Sequence, residues 1–264
     1  MSNLNPANGT LFGVGVGPGD PELMTLKAAR VLGQAEVVAY FAKAGNQSHS
    51  LRIASEFIPS NAELLALEYP VTTEIDRHHQ DYREALASFY THSVERIRHH
   101  LLAGRQVAVI AEGDPLFFGS YMHLHTRLAG DFMTQVIPGI SAMSASWSAV
   151  QVPICQGDDI FTVVPGTLDK AQLMAQMSNS RALVIMKIGS HLGKVREALK
   201  ESGLLDRAVY VERVAQQECR MLPLAEKQDD TAPYFSLVLV PGWEDAGFAS
   251  PLFTHAGQEK GELS

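Results

Sequence analysis

The stretch TLFGVGVGPGDPELMTLKAARVLGQA, residues 10–35, decides the fold. Residues 10–16 are apolar or small and end in a glycine-rich turn, a pattern that predicts a β-strand. Residues 26–35 carry apolar side chains at helical spacing. Thr25 is a suitable N-cap for this helix, because its hydroxyl can accept a hydrogen bond from a free amide of the first turn. A strand, a glycine-rich loop and a helix in this order predict the start of a parallel βαβ unit.

The same alternation of strand and helix patterns continues to about residue 150. A long helical stripe of apolar residues ends near Gly104, where a glycine suits a helix C-terminus. The apolar runs predict strands at residues 37–41, 64–67, 106–111 and 134–137, and helices at residues 86–104, 120–128 and from about 141.

Prolines and glycines become frequent between residues 150 and 158, which predicts a domain boundary. We therefore expect an α/β protein with an N-terminal domain at residues 1–152, a second α/β domain at residues 153–245 and a flexible tail at residues 246–264. The second domain has predicted strands at residues 160–164, 182–187, 208–211 and 235–240, and predicted helices at residues 169–177 and 191–201.

The composition excludes several classes of protein. With 46% hydrophobic residues the chain can fill a sizeable core, which excludes disorder as its main state. The net charge of −8 argues against nucleic-acid binding, which needs a basic face. The apolar runs are far shorter than the ~20 residues that cross a bilayer, and the first ten residues lack the pattern of a secretory signal. We therefore expect a cytoplasmic protein without membrane or nucleic-acid partners, in which Cys155 and Cys219 are buried, reduced thiols.

The loop GVGVGPGD, residues 13–20, lies between the first strand and the first helix, where glycines let a ligand approach the backbone. It fails the dinucleotide fingerprint G-x-G-x-x-G, because Pro18 or Asp20 replaces the third glycine in the two possible frames. Pro18 stiffens the loop, and the carboxylate of Asp20 is unsuited to a phosphate. Glu36 lies about twenty residues further on, where dinucleotide-binding proteins carry a ribose-binding acid. The loop therefore fits either an ordinary tight turn or a site for another ligand.

Two more loops, EGDPLFFG at residues 112–119 and PGISA at residues 138–142, follow predicted strands. Ligands of open α/β sheets bind outside the carboxyl ends of the strands, so we expect the three loops to converge on one site. Asp114, Ser141 and the glycine amides offer a carboxylate, a hydroxyl and backbone groups to a ligand. Glu112 and Asp114 also fit plain turn and capping roles.

Five segments together resemble the tetrapyrrole methylase family, in the same order and along nearly the whole chain. They are VGVGPGDPELMTLKA at 14–28, EGDPLFFGS at 112–120, IPGISA at 137–142, ALVIMKIG at 182–189 and VERVAQQE at 211–218. The resemblance implies two αβα domains with a cleft between them, S-adenosylmethionine as methyl donor, a tetrapyrrole as substrate and a homodimeric assembly. Within the family, SLRIASEFIP, LEYPVTTE and EGDPLFFGSYMHLHTRL are most similar to members that methylate precorrin-2 at the C20 meso carbon in cobalamin biosynthesis, giving precorrin-3A.

The resemblance also implies roles for individual residues. The residues implied to contact the cofactor are Pro18, Glu112, Gly113, Asp114, Phe117, Ser141, Ala142, Met186 and Val214. The first loop is implied to face the tetrapyrrole through Gly17, Pro18, Gly19 and Asp20. Because the substrate is a polyanion, Lys27 and Arg30 are candidates for pairing with its carboxylates, although both also fit a solvated helix face. Arg52 is a weaker candidate, for which a solvated position is the simpler interpretation.

The implied chemistry needs alignment more than side-chain reactivity, because the sulfonium is an activated donor and the meso carbon is electron-rich. A base then removes a proton, and Glu112 or Asp20 is the candidate. Methylation at another position, a cobalt-bearing substrate, an unrelated acceptor and a non-catalytic tetrapyrrole carrier remain alternatives.

The ten histidines do not predict a metal site. They occur mainly as the pairs 78–79 and 99–100 and as His123 and His125, whereas helical ligand pairs are usually three or four residues apart. We therefore expect no metal, and surface or packing roles for these rings. If His123 and His125 were ligands, a chelatase acting on the same substrate class would be the alternative.

Overall fold

The computed structural model describes residues 5–43, 45–70 and 79–242, and it confirms the predicted α/β class. The chain divides into two compact units after Ser141. This division precedes the expected boundary at residues 150–158, because the intervening helix, Ala142–Val150, packs against a strand of the second unit. The tail expected at residues 246–264 lies outside the described residues.

The first unit contains a fully parallel sheet of five strands in the order β3-β2-β4-β1-β5. Its strands are β1 (Thr10–Gly15), β2 (Val37–Lys43), β3 (Glu63–Tyr69), β4 (Val107–Ala111) and β5 (Met133–Ile137). Its helices are α1 (Leu26–Leu32), α2 (His49–Ala54), α3 (Gln80–Leu102) and α4 (Tyr121–Leu128).

Helices cover both faces of this sheet, and β4 shows why its sequence is apolar throughout. Val107 and Val109 belong to the core formed with α3 and α4. Ala108 and Ile110 belong to the opposite core formed with α1 and α2. Alternate side chains of a strand point to opposite faces, so a strand buried on both faces must be a continuous apolar run.

The second unit contains a mixed sheet of five strands in the order β6-β7-β10-β8-β9. Strand β6 is parallel to β7, whereas β10 is antiparallel to both β7 and β8, and β9 is antiparallel to β8. Its elements are α5 (Ala142–Val150), β6 (Phe161–Pro165), α6 (Lys170–Ser178), β7 (Ala182–Met186), α7 (Leu192–Glu201), β8 (Val209–Glu212), β9 (Arg220–Pro223) and β10 (Ser236–Val240).

The structure confirms the predicted cap and corrects the expected burial of the two cysteines. The Thr25 hydroxyl accepts a hydrogen bond from the Ala28 amide at 3.1 Å. Cys155 and Cys219 are free, as expected, but they are exposed rather than buried because both lie in connections outside the helices and strands. Within the described ranges, every helix is too short or too polar to span a bilayer.

Candidate functional site

Three loops meet where β1, β4 and β5 end, because these strands are adjacent and parallel. The Gly113 amide donates a hydrogen bond to the Gly17 carbonyl at 2.8 Å, which joins the first loop to the second. The Gly139 amide donates to Asp114 Oδ2 at 3.2 Å, which joins the third loop to the second. The convergence expected from the order of strands and loops is therefore present, and we call this set of contacts the loop junction.

The glycines of the loop junction are required by the packing of the loops on one another. A Cβ atom on Gly15 would lie 2.5 Å from the Gly113 carbonyl oxygen and 2.6 Å from the Gly139 nitrogen. A Cβ atom on Gly139 would lie only 2.0 Å from the same carbonyl oxygen. Gly17 and Gly113 also have positive φ values of 81° and 64°, which favour glycine. Mutual contact between loops explains these glycines without any approach of a ligand.

The two aspartates of these loops have identifiable structural roles. Asp114 Oδ1 accepts from the Leu116 amide at 2.9 Å, while its other oxygen holds Gly139. Asp114 therefore fixes the shape of its own loop and its attachment to the third loop. Asp20 accepts from the Glu22 amide at 2.9 Å and caps the short 3₁₀ turn Pro21–Leu23. This local role accounts for the carboxylate that the sequence placed in the first loop.

Glu112 has the most unusual electrostatic environment of the loop junction. The residue as a whole is exposed, but the protein around its carboxyl group displaces enough water to raise the pKa to about 7. A hydrogen bond from the Ser50 amide and the charge of Arg52 oppose this shift. A carboxyl with a near-neutral pKa is suited to proton transfer at physiological pH.

The raised pKa of Glu112 predicts a pH-dependent cost to stability. The folded state binds the Glu112 proton more tightly than the unfolded state does. The free energy of unfolding is therefore highest below about pH 4.5 and falls as the pH rises through about 7, where the folded carboxyl group ionises. We expect Glu112→Gln to stabilise the protein at pH 8 by about 1 kcal/mol after allowance for solvent screening, and to have no effect near pH 4.5. Thermal unfolding at both pH values measures this difference.

A control for this stability prediction is Glu226→Gln, since Glu226 is an exposed residue in the second unit. This variant should unfold like the wild-type protein at both pH values. A stabilisation by Glu112→Gln that is the same at pH 4.5 and pH 8 would contradict the electrostatic explanation.

The second loop is anchored at its far end by hydroxyl groups. The Ser120 hydroxyl is hydrogen-bonded to Tyr69, and the Tyr90 hydroxyl donates to it at 3.3 Å. Between this anchor and Asp114, the ring of Phe117 contacts that of Phe118 at 4.9 Å between centroids. Phe118 is 44% exposed and has a φ of 53°, a value that is uncommon for a bulky residue. The second loop thus exposes an aromatic surface between two ends that are fixed by hydrogen bonds.

Lys27 and Arg30 are not brought to the loop junction. They line a separate groove of about 270 Å³ beside β1 and β5, together with Phe12 and Gln135. This groove extends to Gln106, which precedes β4 and therefore lies toward the opposite edge of the sheet.

A second groove, of about 330 Å³, lies beside α2 at the ends of β2 and β3. Arg52 and Glu68 line it, and we call it the α2 groove. It is linked to Glu112 through Arg52, whose charge lowers the pKa of that carboxyl group, as does the backbone amide of Ser50 in α2. Sequence reasoning missed this groove because it did not predict α2. The available signal was Ser48, whose hydroxyl caps the helix by accepting from the Leu51 amide at 3.4 Å.

In the second unit, Met186 and Val214 lie at one edge of the sheet. Met186 ends β7 and Val214 follows β8, and these strands run in the same direction on either side of β10. Val214 is 7% exposed, and the Met186 carbonyl accepts from the Gly166 amide at 2.6 Å. Three non-glycine residues of these two loops have positive φ values: Lys187 at 56°, Arg213 at 49° and Ala215 at 59°. Such conformations are concentrated at functional sites, which supports a binding role for both loops.

The remaining candidate residues are buried or half-buried, or pack against neighbouring side chains. Pro18 is buried, and Ser141 and Ala142 are half-buried where the third loop enters α5. His123 stacks on Tyr90 with ring centroids 4.2 Å apart.

The residues that suggested a metal site or a dinucleotide site from the sequence have other contacts in the structure. The His125 Nδ1 atom lies 3.3 Å from the Tyr121 hydroxyl, and no group of three or more His, Cys, Asp or Glu side chains suited to a metal ion occurs among the described residues, which exclude His78. Glu36 precedes β2 and accepts from the Gln106 amide at 2.9 Å, so it lies at the edge of the sheet opposite the loop junction. A ribose-binding acid would stand at the other end of that strand.

The overall fold is similar to that of two solved methyltransferases. The crystal structure of the methyltransferase CobJ aligns with a TM-score of 0.65 at 20% identity, covering 88% of this chain and 94% of that one. A Thermus thermophilus uroporphyrin-III C-methyl transferase in complex with S-adenyl homocysteine aligns with a TM-score of 0.62 at 23% identity, covering 89% and 98%. The family profile of the tetrapyrrole (corrin/porphyrin) methylases matches residues 10–227. The chain belongs to this family, which confirms the family and enzyme class predicted from sequence.

One relative is much more similar in sequence. A precorrin-2 C(20)-methyltransferase from Sinorhizobium sp is 54% identical over 237 residues, which cover 90% of this chain and 97% of that protein.

Proposed function

We propose that this protein transfers the methyl group of S-adenosylmethionine to the C20 meso carbon of precorrin-2, giving precorrin-3A in cobalamin biosynthesis. The observation that carries the proposal is the 54% identity to a precorrin-2 C(20)-methyltransferase across nearly the full length of both chains. The loop junction supports it, because it brings three loops together outside the carboxyl ends of adjacent parallel strands, where ligands of open α/β sheets bind.

The donor set of the loops fits a cationic cofactor. Residues 112–120 and 137–142 contain two carboxylates, Glu112 and Asp114, and no lysine or arginine. We propose that these loops hold the cationic methionine part of the donor. The proposed contacts are Pro18, Glu112, Gly113, Asp114, Phe117, Ser141 and Ala142. Met186 and Val214 are proposed to border the adenine, since apolar side chains pack on a flat ring without needing a polar partner.

The reaction itself needs few reactive side chains. The sulfonium supplies an activated methyl group, so the meso carbon forms the new carbon–carbon bond as the sulfur–methyl bond breaks. The proton lost afterwards from the methylated carbon or from a ring nitrogen passes to the Glu112 carboxylate. Glu112 is preferred to Asp20 for this role, because Asp20 already caps a turn whereas the pKa of Glu112 is raised to about 7.

The test combines binding with turnover. We expect calorimetric titration to show one S-adenosylhomocysteine per chain, and incubation with S-adenosylmethionine and precorrin-2 to give a product heavier by CH2, because a methyl group replaces a hydrogen. Fragmentation in the mass spectrometer should place that methyl at C20. Binding of the tetrapyrrole without S-adenosylhomocysteine would identify a carrier instead. Turnover only with a cobalt-bearing tetrapyrrole, or methylation at another carbon, would change the proposed substrate or position.

From the family resemblance we also propose a homodimer located in the cytoplasm. Light scattering during size-exclusion chromatography measures the assembly, and a mass of one chain would contradict it.

A further inference from the structure

The α2 groove has the size and polarity of a binding site. Its volume of about 330 Å³ corresponds to roughly ten water molecules at ~30 Å³ each, which is room for a carboxyalkyl side chain and part of a pyrrole ring. Tyr40 and Ser48 contribute hydroxyl groups to its wall, and Leu51 and Ala66 contribute apolar surface.

The α2 groove is lined by one basic and one acidic residue. Of the residues that line it, only Arg52 is basic and only Glu68 is acidic. Arg52 is exposed, and its guanidinium contacts the His49 ring at 3.4 Å but forms no ion pair with any carboxylate of the described residues. An arginine without a carboxylate partner is a ready ligand for a carboxylate, which its two parallel N–H groups can bind in a bidentate manner.

The position of the groove connects it to the reaction. Arg52, which lines the groove, and the backbone amide of Ser50 in the same helix both lower the pKa of the Glu112 carboxyl group. A ligand carboxylate bound to Arg52 therefore lies in the neighbourhood of the proposed base. The protein carries a net charge of −8, so a polyanionic substrate needs a local cation at such a place to offset the average repulsion.

We propose that the α2 groove is a substrate subsite in which Arg52 binds a peripheral carboxylate of the tetrapyrrole. The inference rests on the proposed function, because it takes the tetrapyrrole as the ligand. Glu68 opposes the same carboxylate from the neighbouring strand β3 and limits its affinity. Arg52 thus selects for an acidic side chain at one edge of the macrocycle and orients that edge beside Glu112.

Substitutions at Arg52 and at Glu68, which remove opposite charges, test the subsite. Arg52→Met should raise the KM and the dissociation constant for precorrin-2 about tenfold or more, since it removes a charge-assisted bidentate contact, and should leave kcat within a few-fold of wild type. Arg52→Lys should give an intermediate loss, because it keeps the charge without the planar fork. Glu68→Gln should tighten precorrin-2 binding several-fold. If α2 had a purely structural role, Arg52→Met and Glu68→Gln would not change precorrin-2 affinity in opposite directions.

The matched control is Lys200→Met, which removes one positive charge from an exposed position of α7 in the second unit. It should leave precorrin-2 binding unchanged. Circular dichroism checks that each variant is folded, which the exposure of Arg52 favours.

The outcomes separate the subsite from the proposed function. An unchanged dissociation constant for precorrin-2 in Arg52→Met overturns the subsite while the function stands. A weaker affinity for S-adenosylhomocysteine in the same variant assigns Arg52 to the donor's carboxylate and also overturns it. If wild-type protein binds precorrin-2 without methylating it, the proposed function fails and the Arg52 comparison still decides the subsite. If it does not bind precorrin-2, both fall.

Discussion

Gly139→Ala is expected to abolish measurable S-adenosylhomocysteine binding and to destabilise the first unit by about 2–3 kcal/mol. The added methyl group would lie 2.0 Å from the Gly113 carbonyl oxygen and 2.9 Å from the Gly15 Cα atom. Both are backbone atoms, so no side-chain rotation relieves the clash and the loops must separate. Separation also breaks the hydrogen bond from the Gly139 amide to Asp114. Calorimetric titration and thermal unfolding measure the two effects.

Gly130→Ala is the matched control for this substitution. Gly130 follows α4, and a Cβ atom there would have no heavy atom within 4 Å. Neither glycine has a positive φ, so the two substitutions differ only in the space available to the methyl group. We expect Gly130→Ala to bind S-adenosylhomocysteine like the wild-type protein. Normal binding by Gly139→Ala would mean that the loop junction can open without loss of the cofactor site.

This pair of substitutions shows what the sequence could and could not predict. The glycine-rich loops, their order and their position after strands were visible from hydrophobic periodicity, which is a local property of the chain. The reason for the glycines was not, because the contact between Gly15, Gly113 and Gly139 joins three distant parts of the chain. A glycine is needed whether a ligand or another loop approaches the backbone closely. The sequence therefore does not distinguish these two causes.

The elements that escaped prediction are short. Helix α2 has six residues and β9 has four, too few to show a clear period. Because α2 was not predicted, the α2 groove was not predicted either. Helix α2 carries Arg52, which lines the groove, and the Ser50 amide, which lowers the pKa of Glu112. Lys27 and Arg30 illustrate the converse. Their nearness to the first loop in sequence suggested a shared site, whereas the structure places both in a different groove.

Glu112→Gln is expected to lower kcat by about 10²–10⁴-fold, the usual contribution of a general base, if proton removal limits the rate. The base acts in its deprotonated form, so the wild-type rate should rise with pH and level off above the pKa of Glu112, which the cationic donor lowers from its value of about 7 in the free protein. The amide of glutamine neither accepts a proton nor changes charge over this range. The residual rate of the variant should therefore be independent of pH. Single-turnover rates with precorrin-2 between pH 5.5 and 8.5 measure both effects.

Binding measurements decide how a loss of rate in Glu112→Gln is interpreted. Glutamine is nearly isosteric and still accepts the Ser50 amide, so precorrin-2 affinity should change little. If the pH dependence persists in this variant but disappears in Asp20→Asn, Asp20 is the base and its cap on the 3₁₀ turn is a second role. If both variants keep the wild-type rate and profile, no side chain of the first two loops takes the proton. Alignment of the donor with the meso carbon would then account for the whole contribution of these loops, because an activated methyl donor and an electron-rich carbon need orientation above all.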